Sequence, residues 1–232
     1  MKLPRNSAKQ LVKTMLVLGF ASAMWITPLF AQSTYTGTLA NLTNSGTLSI
    51  DDKIFSGFNY SESGLTSFDP TAITVTATES GGIDYLTWSG NISLVSGGSA
   101  SAYLILYYIV TSTGGPIDMI DLSYTGSAQN GSLAVDETAD TGSFGYLGGT
   151  EVGSINLGPN EPSGNCPIIP PQQALYVTKD INFNTFSGGG FDTTSQVAQS
   201  FEQVPEPTTT GCFLLILGAL VCFQRFTQKR RS

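Results

Sequence analysis

Short runs of apolar and β-branched residues, bounded by Gly, Ser, Asn or Asp, repeat along the chain from Tyr35 to Gln203. In the run AITVTAT, Ile73, Val75 and Ala77 alternate with threonines, which is the period-two pattern of a strand with one buried face. The run AYLILYYIV is apolar almost throughout, which is typical of a central strand. Between the two ends of the chain we find no segment of helical periodicity longer than two turns.

Thirteen runs are candidate strands: TYTGTLA, TLSI, KIFSGFNY, AITVTAT, IDYLTWSG, NISLV, AYLILYYIVT, IDMIDLSYTG, GSLAVDE, GSFGYLG, EVGSINLG, ALYVTKDINF and SQVAQSFEQ. The last run could also form a helix, but its place before a proline-rich exit favours a strand. So many short strands predict an all-β fold, an antiparallel β-sandwich or jelly roll spanning residues 32–203. The expected core or near-core side chains are Phe55, Phe58, Tyr85, Trp88, Tyr103, Leu104, Leu106 and Tyr107. The stretch Leu157–Pro171 contains five prolines and predicts a long loop, most simply a stiff crossover.

The N-terminus has the order of a secretory signal peptide. Four basic residues lead into an apolar stretch from Met15 to Ile26, after which Pro28 breaks the helix and small residues follow. We expect cleavage after Ala31, with cleavage after Ser33 as the alternative. The pattern leaves open an uncleaved membrane anchor, although its apolar core is shorter than the ~20 residues that a span needs.

A second apolar run, Gly211–Phe223, lies near the C-terminus. As a helix it would cover about 20 Å of a hydrocarbon core that is roughly 30 Å thick. Extension to residues 208–226 gives about 28 Å, because Thr side chains bond to the helix backbone and Arg225 can reach the interface. We therefore predict one short transmembrane helix rather than a buried core helix, since the run has no polar face. The basic residues expected to stay in the cytoplasm are Arg225, Lys229, Arg230 and Arg231.

The order of these features resembles the PEP-CTERM sorting signal of exported proteins of Gram-negative bacteria. Residues 204–232 carry the resemblance: the sequence Val204-Pro205-Glu206-Pro207, then the hydrophobic helix, then the basic cluster. It implies that an exosortase, a membrane-embedded cysteine transpeptidase-like enzyme, recognises the motif and cuts near it. The bacteria that use this signal are typically ones that make extracellular polymers. The two prolines would hold the motif extended, which suits presentation to an enzyme.

Charge is sorted along the chain, whose formal net charge is −7. Between the basic termini only Lys53 and Lys179 are basic, while all the Asp and Glu residues lie in this middle region. An acidic surface repels phosphate backbones, so we expect no nucleic-acid partner. Cys166 is the only cysteine of the middle region, and we expect no structural disulfide because Cys212 and Cys222 lie in the apolar tail.

The chain contains no histidine, which removes Ser-His-Asp catalysis, Cys-His catalysis and His-ligated zinc. Cys166 has no evident activator. The remaining candidates for acid–base chemistry are the carboxylates Asp51 with Asp52, Asp118 with Asp121, and Asp136 with Glu137. Residues one or three positions apart on a strand point to opposite faces, which argues against these pairs, although acids from distant strands could still meet.

Two further patterns are weak. Asp136, Glu137 and Asp140 could supply oxygen ligands to calcium, but no stretch has the spacing of a calcium-binding loop. Ser187–Gly190 has neither a following lysine nor a helix, so it predicts a flexible turn rather than a phosphate loop.

We interpret the chain as an exported, non-enzymatic protein without a cofactor, tethered to the inner membrane as a precursor and finally located at the cell surface or in the extracellular matrix. The expected role is structural or adhesive. The alternative is a carbohydrate-binding module, for which exposed aromatics are needed; the possible donors are Tyr107, Tyr108, Tyr124 and Tyr146. A hydrolase would require two facing acids in a cleft.

Overall fold

The computed structural model describes residues 34–203, most of which lie in twelve β-strands. The strands are β1 (Thr34–Thr38), β2 (Leu48–Ile50), β3 (Lys53–Ser63), β4 (Thr74–Ser80), β5 (Ile83–Ser96), β6 (Ala100–Ser112), β7 (Ile117–Gln129), β8 (Gly131–Thr141), β9 (Thr150–Leu157), β10 (Ser163–Gln172), β11 (Ala174–Thr185) and β12 (Gly190–Gln203). A one-turn helix, α1 (Leu39–Leu42), follows β1, and a 3₁₀ turn occupies Gly145–Leu147.

The strand order defines a jelly roll. Sheet A has the order β1-β4-β5-β12-β7-β10, and sheet B has the order β2-β3-β6-β11-β8-β9; all named pairs are antiparallel. The last eight strands alternate so that β5-β12-β7-β10 faces β6-β11-β8-β9, the arrangement of two Greek keys in a double sheet. The first four strands extend both sheets at one edge. The all-β sandwich expected from the sequence is confirmed.

The core lies between the two sheets and is filled by the inward positions of each strand. On β6 these are Leu104, Leu106, Tyr108 and Val110, all at most 2% exposed. Five of the expected core residues are buried: Phe55, Phe58, Trp88, Leu104 and Leu106. The prediction was wrong for Tyr85, Tyr103 and Tyr107, which occupy the alternate positions and point away from the core.

Several element predictions need correction. The run TYTGTLA ends as a strand at Thr38, whose side chain caps α1 by accepting a hydrogen bond from the Asn41 amide. IDYLTWSG and NISLV form one long strand, β5, and GSFGYLG contains the 3₁₀ turn instead of a strand. The stretch Leu157–Pro171 is not a single loop, because β10 begins at Ser163 and pairs with β7. Prolines are tolerated there since β10 is the edge strand of sheet A.

The predicted terminal segments lie outside the described residues. These are the signal peptide with its cleavage site at Ala31, the motif Val204-Pro205-Glu206-Pro207, the transmembrane helix at about 208–226 and the basic tail. Within residues 34–203, no helix is both long and apolar enough to cross a bilayer.

Candidate functional site

The outer face of sheet B is rich in aromatic and aliphatic side chains. Since Leu104, Leu106 and Tyr108 enter the core, the alternate positions of β6 point outward. These outward residues are Tyr103, Ile105, Tyr107 and Ile109, of which Tyr103 is 38% exposed. Apolar side chains therefore line the centre of this face, next to the outward residues of β11.

The connection from β8 to β9 brings more aromatic rings onto the same face. The Phe144 and Tyr146 ring centroids lie 5.6 Å and 5.3 Å from that of Tyr107. Phe144 also packs edge-on against Tyr176 of β11 at 5.3 Å. Tyr146 remains 63% exposed, so its ring is available to a ligand. We call Tyr103, Tyr107, Phe144, Tyr146 and Tyr176 the aromatic cluster.

Local hydrogen bonding holds this connection in place. The carboxylate of Asp140, at the end of β8, accepts a hydrogen bond from the Gly145 amide at 2.8 Å and so fixes the start of the 3₁₀ turn. The turn ends at Gly148, whose φ of 90° lies in the left-handed region that favours glycine. The aromatic rings of the turn are thus presented by a defined backbone rather than by a free loop tip.

Two carboxylates lie side by side on this face. Asp136 of β8 and Asp180 of β11 are direct cross-strand partners, and both side chains point outward because their neighbours enter the core. Burial raises the pKa of both groups, and the nearby charge of Asp180 raises the pKa of Asp136 further. Burial also raises the pKa of the Tyr107 hydroxyl, with smaller contributions from Tyr146 and Asp180. The face therefore combines ring surfaces with hydrogen-bond acceptors.

The outer face of sheet A has a different chemistry. Its outward residues are mostly hydroxyl side chains, and the register places one row of six side by side across the sheet: Thr34, Thr78, Tyr85, Ser200, Asp121 and Asn165. Part of this row borders an open groove of about 420 Å³, in which the Ser200 hydroxyl donates a hydrogen bond to Asp121 at 2.7 Å. Tyr85 is the only aromatic residue that lines the groove.

A cluster of charges lies where β3 and β5 begin. Lys53, only 1% exposed, donates to Asp52 at 2.6 Å and to Asp84 at 3.2 Å. Burial raises the pKa of Asp84 to about 6, although the charge of Lys53 opposes this shift. Oxygens of Asp51, Asp52 and Asp84 approach within 4.8 Å of one another. The Lys53 ammonium pairs with two of these carboxylates, while the second oxygen of Asp84, Oδ1, is buried without a hydrogen-bond partner among the described residues.

Most of the candidate site residues named from the sequence do not lie together in the structure. Tyr108 is fully buried, and Tyr124 is 9% exposed with its hydroxyl donating to the Gly158 carbonyl, so neither can be a surface sugar contact. Tyr107 and Tyr146, in contrast, belong to the aromatic cluster. Asp136 and Glu137 point to opposite faces, as expected for neighbours on a strand, and Glu137 lies in the core. That position excludes a calcium site shared by Asp136, Glu137 and Asp140.

The remaining candidates have ordinary environments. Asp121 lies in the groove of sheet A, and Asp118 is a partly exposed residue near the start of the same strand. The thiol of Cys166, on β10, is free. Of the segment Ser187–Gly190, the first three residues lie in the connection from β11 to β12 and Gly190 begins β12; Gly188 and Gly189 are at positive φ, which confirms the predicted turn. The sequence did not indicate the pair of Asp136 and Asp180, because only the sheet order brings β8 and β11 together.

No protein-family model and no curated protein matches the sequence. Among solved structures, the chain is similar to TmCBM61 in complex with β-1,4-galactotriose, with a TM-score of 0.29, 12% identity, and coverage of 62% of this chain and 88% of that one. The enzymatically active domain of tailspike protein 4 of bacteriophage CBA120 gives a TM-score of 0.28 and 17% identity over 61% of this chain and 19% of the other. A family 11 carbohydrate-binding module from Clostridium thermocellum gives 0.23 and 12% identity over 78% and 94%. The jelly-roll assignment rests on the strand order of the present chain.

Proposed function

We propose that the β-sandwich binds an extracellular polysaccharide through the outer face of sheet B. The observation that carries this proposal is the aromatic cluster beside the paired carboxylates of Asp136 and Asp180. A sugar ring presents C–H groups on its faces and hydroxyls at its edge. Tyrosine rings suit the first, and carboxylate oxygens accept hydrogen bonds from the second.

The charge of the domain favours a neutral polymer. The middle of the chain is acidic, and two acids lie within the proposed site itself. A uronic-acid or sulfated polymer would bring further negative charge to the face, which costs free energy through like-charge repulsion. A neutral polysaccharide avoids this cost and still supplies hydroxyl donors.

The arrangement suits binding better than hydrolysis. A glycosidase places two carboxyl groups on either side of the scissile bond. Asp136 and Asp180 lie next to each other on one sheet surface, so a sugar chain would lie over both of them rather than between them. We therefore assign the pair a role in hydrogen bonding to the polymer.

Sugar binding extends the role expected from the sequence, a structural or adhesive protein of the extracellular matrix. Export and exosortase processing remain part of the proposal and rest on the sequence motif around Pro205, Glu206 and Pro207. Mass spectrometry of the mature C-terminus, from cells with and without the exosortase, tests this part. Recovery of Arg230-Arg231-Ser232 in surface protein from cells that contain the enzyme would contradict it.

Affinity gel electrophoresis tests the sugar-binding part. The protein is run through gels that contain dextran, mannan, mixed-linkage β-glucan or the producing cell's own exopolysaccharide, with acidic alginate as the charge control. We expect at least one neutral polymer to retard the protein, and the substitution Tyr146→Ala to weaken this binding about fivefold or more. Tyr35→Ala is the matched control, because Tyr35 is 53% exposed on β1 of sheet A. Retardation by alginate alone, by no polymer, or equally for both variants contradicts the proposal.

A further inference from the structure

A lysine, a glutamate and a glutamine meet at the centre of the sandwich, away from both outer faces. Lys179 of β11 and Glu137 of β8 are direct cross-strand partners in sheet B, and Gln199 enters the core from β12 in sheet A. None of the three residues is more than 1% exposed. Such groups are rare in a core that could be filled by apolar side chains, and a buried ion pair adds little net stability.

The carboxyl group of Glu137 bridges the amine and the amide. Lys179 Nζ donates to Glu137 Oε2, and Gln199 Nε2 donates to Glu137 Oε1. One acid therefore contacts both nitrogen atoms. On the other side of the amide, the Tyr108 hydroxyl donates to Gln199 Oε1, which polarises the carbonyl group.

The surroundings of the three residues are buried and aromatic. Lys179 Nζ lies 5.3 Å from the centre of the Trp88 ring and 6.0 Å from that of Tyr108. Burial lowers the pKa of the Lys179 amine and raises the pKa of the Glu137 carboxyl, so both groups are shifted toward their neutral forms. A neutral amine is a nucleophile, and a neutral carboxylic acid can donate a proton.

We propose that this site forms an intramolecular isopeptide bond between Lys179 Nζ and the side-chain carbonyl carbon, Cδ, of Gln199. The amine attacks Cδ, and the Tyr108 hydroxyl stabilises the negative charge that develops on Oε1. Glu137 accepts a proton from Nζ and delivers a proton to Nε2, after which the Cδ–Nε2 bond breaks and ammonia leaves. One amine and one primary amide become one secondary amide and ammonia, without an oxidant, a metal or an energy source.

The product would join the two sheets covalently. Lys179 belongs to sheet B and Gln199 to sheet A, so the new bond links β11 to β12 across the core. The cysteine of the described region, Cys166, is free and provides no such link. Glu137, Lys179 and Tyr108 would thereby have a chemical role that accounts for their burial.

Mass spectrometry of the protein purified from its full-length gene tests the proposal. We expect one tryptic peptide that contains both residue 179 and residue 199, uncleaved between them, with the mass of its linear sequence reduced by one ammonia. Lys179 is one of only two lysines between Tyr35 and Gln203, and trypsin should fail to cut after it in the denatured protein. Complete tryptic cleavage after Lys179 would overturn the proposal. So would a link to Glu137 with loss of water, because that product consumes the acid that transfers the protons.

A variant separates the chemistry from the packing. Glu137→Gln keeps the size of the side chain but cannot transfer protons as a carboxyl group can, so we expect tryptic cleavage after Lys179 and no loss of ammonia. Asp118→Asn, a partly exposed residue of β7, is the control and should retain the cross-link. Cross-linking that persists in Glu137→Gln contradicts the role of the acid. The wild-type measurement remains decisive even if the core variant does not fold.

Discussion

The two outer faces of the sandwich differ in chemistry, although both sheets contribute inward residues to the same core. On sheet A the row Thr34, Thr78, Tyr85, Ser200 and Asp121 offers hydroxyl groups with a single ring. On sheet B, Tyr107 lies beside Tyr146, Tyr103 shares the outward row of β6 with Tyr107, and two carboxylates are on the same face. In a two-layer β-fold the inward positions are committed to packing, so the outward positions are where two similar sheets acquire different functions.

The largest expected effect is a loss of polysaccharide binding when residues on the outer face of sheet B are substituted, but not when a residue on sheet A is substituted. The double substitution Tyr103→Ala and Tyr107→Ala should weaken binding of the retarding neutral polysaccharide on the order of 100-fold, because buried aromatic contacts dominate binding energy. Tyr85→Ala, in the groove of sheet A, should change affinity less than about threefold. Isothermal titration calorimetry measures both. A larger effect of Tyr85→Ala would move the site to sheet A.

A pH experiment distinguishes stability from binding. The pKa of Asp84 is raised from 3.8 to about 6 in the folded protein, so its contribution to stability is fully present below pH 3.8 and is lost as the pH rises through 6. At about 1.4 kcal/mol per pKa unit the loss is on the order of 2–3 kcal/mol. Asp84 belongs to neither outer face. Asp84→Asn should therefore flatten the dependence of the unfolding free energy on pH between 4 and 6 without changing polysaccharide affinity.

Urea unfolding of both proteins across this pH range checks the Asp84 prediction. The other carboxylates with raised pKa values remain in the variant, so the difference between the two curves isolates Asp84. Parallel curves would contradict the assignment. A loss of affinity in Asp84→Asn would mean that the core and the outer face of sheet B are not independent.

The smallest effect concerns the carboxylate pair on sheet B. Both pKa values are raised in the folded protein, so stability falls as the pH rises through them. Asp180→Asn removes the like-charge contact with Asp136 and should raise the free energy of unfolding at pH 7 by about 0.2–1 kcal/mol. The same change on sheet A, Asp121→Asn, should have no stabilising effect, because Asp121 accepts a hydrogen bond from Ser200. Thermal unfolding of the two variants, measured side by side, makes this comparison.

The alternation of inward and outward residues along a strand could be predicted from the sequence. Which of the two alternating sets faces the core could not always be assigned. In β4, Val75 and Ala77 alternate with threonines, so the apolar residues must be the ones that face the core. In β6 nearly every residue is apolar, and tyrosine suits either face, so the sequence alone does not distinguish an outward position for Tyr103 and Tyr107 from a core position. Their outward position depends on the register with β3 and β11, which a single sequence does not contain.

The candidate site was less predictable than the fold because it depends on contacts between distant strands. Asp136 and Asp180 are 44 positions apart, and nothing in the local sequence of either indicates the other. The proline-rich stretch Leu157–Pro171 misled for a different reason. Proline removes one hydrogen bond donor from a ladder, which an edge strand such as β10 tolerates on its open side.

The position of β12 has a mechanical consequence. A force applied to the chain just after Gln203 acts on β12, which is hydrogen-bonded along its length to β5 on one side and to β7 on the other. The side-chain amide of Gln203 also donates hydrogen bonds to Asp52 and to the carbonyl of Gly115. A pull on Thr34, in contrast, meets β1 at the edge of sheet A, where β4 is its only partner in the sheet. Under tension the domain should therefore unravel from its N-terminal edge, while the end that leads toward Pro205 holds by shear across two ladders.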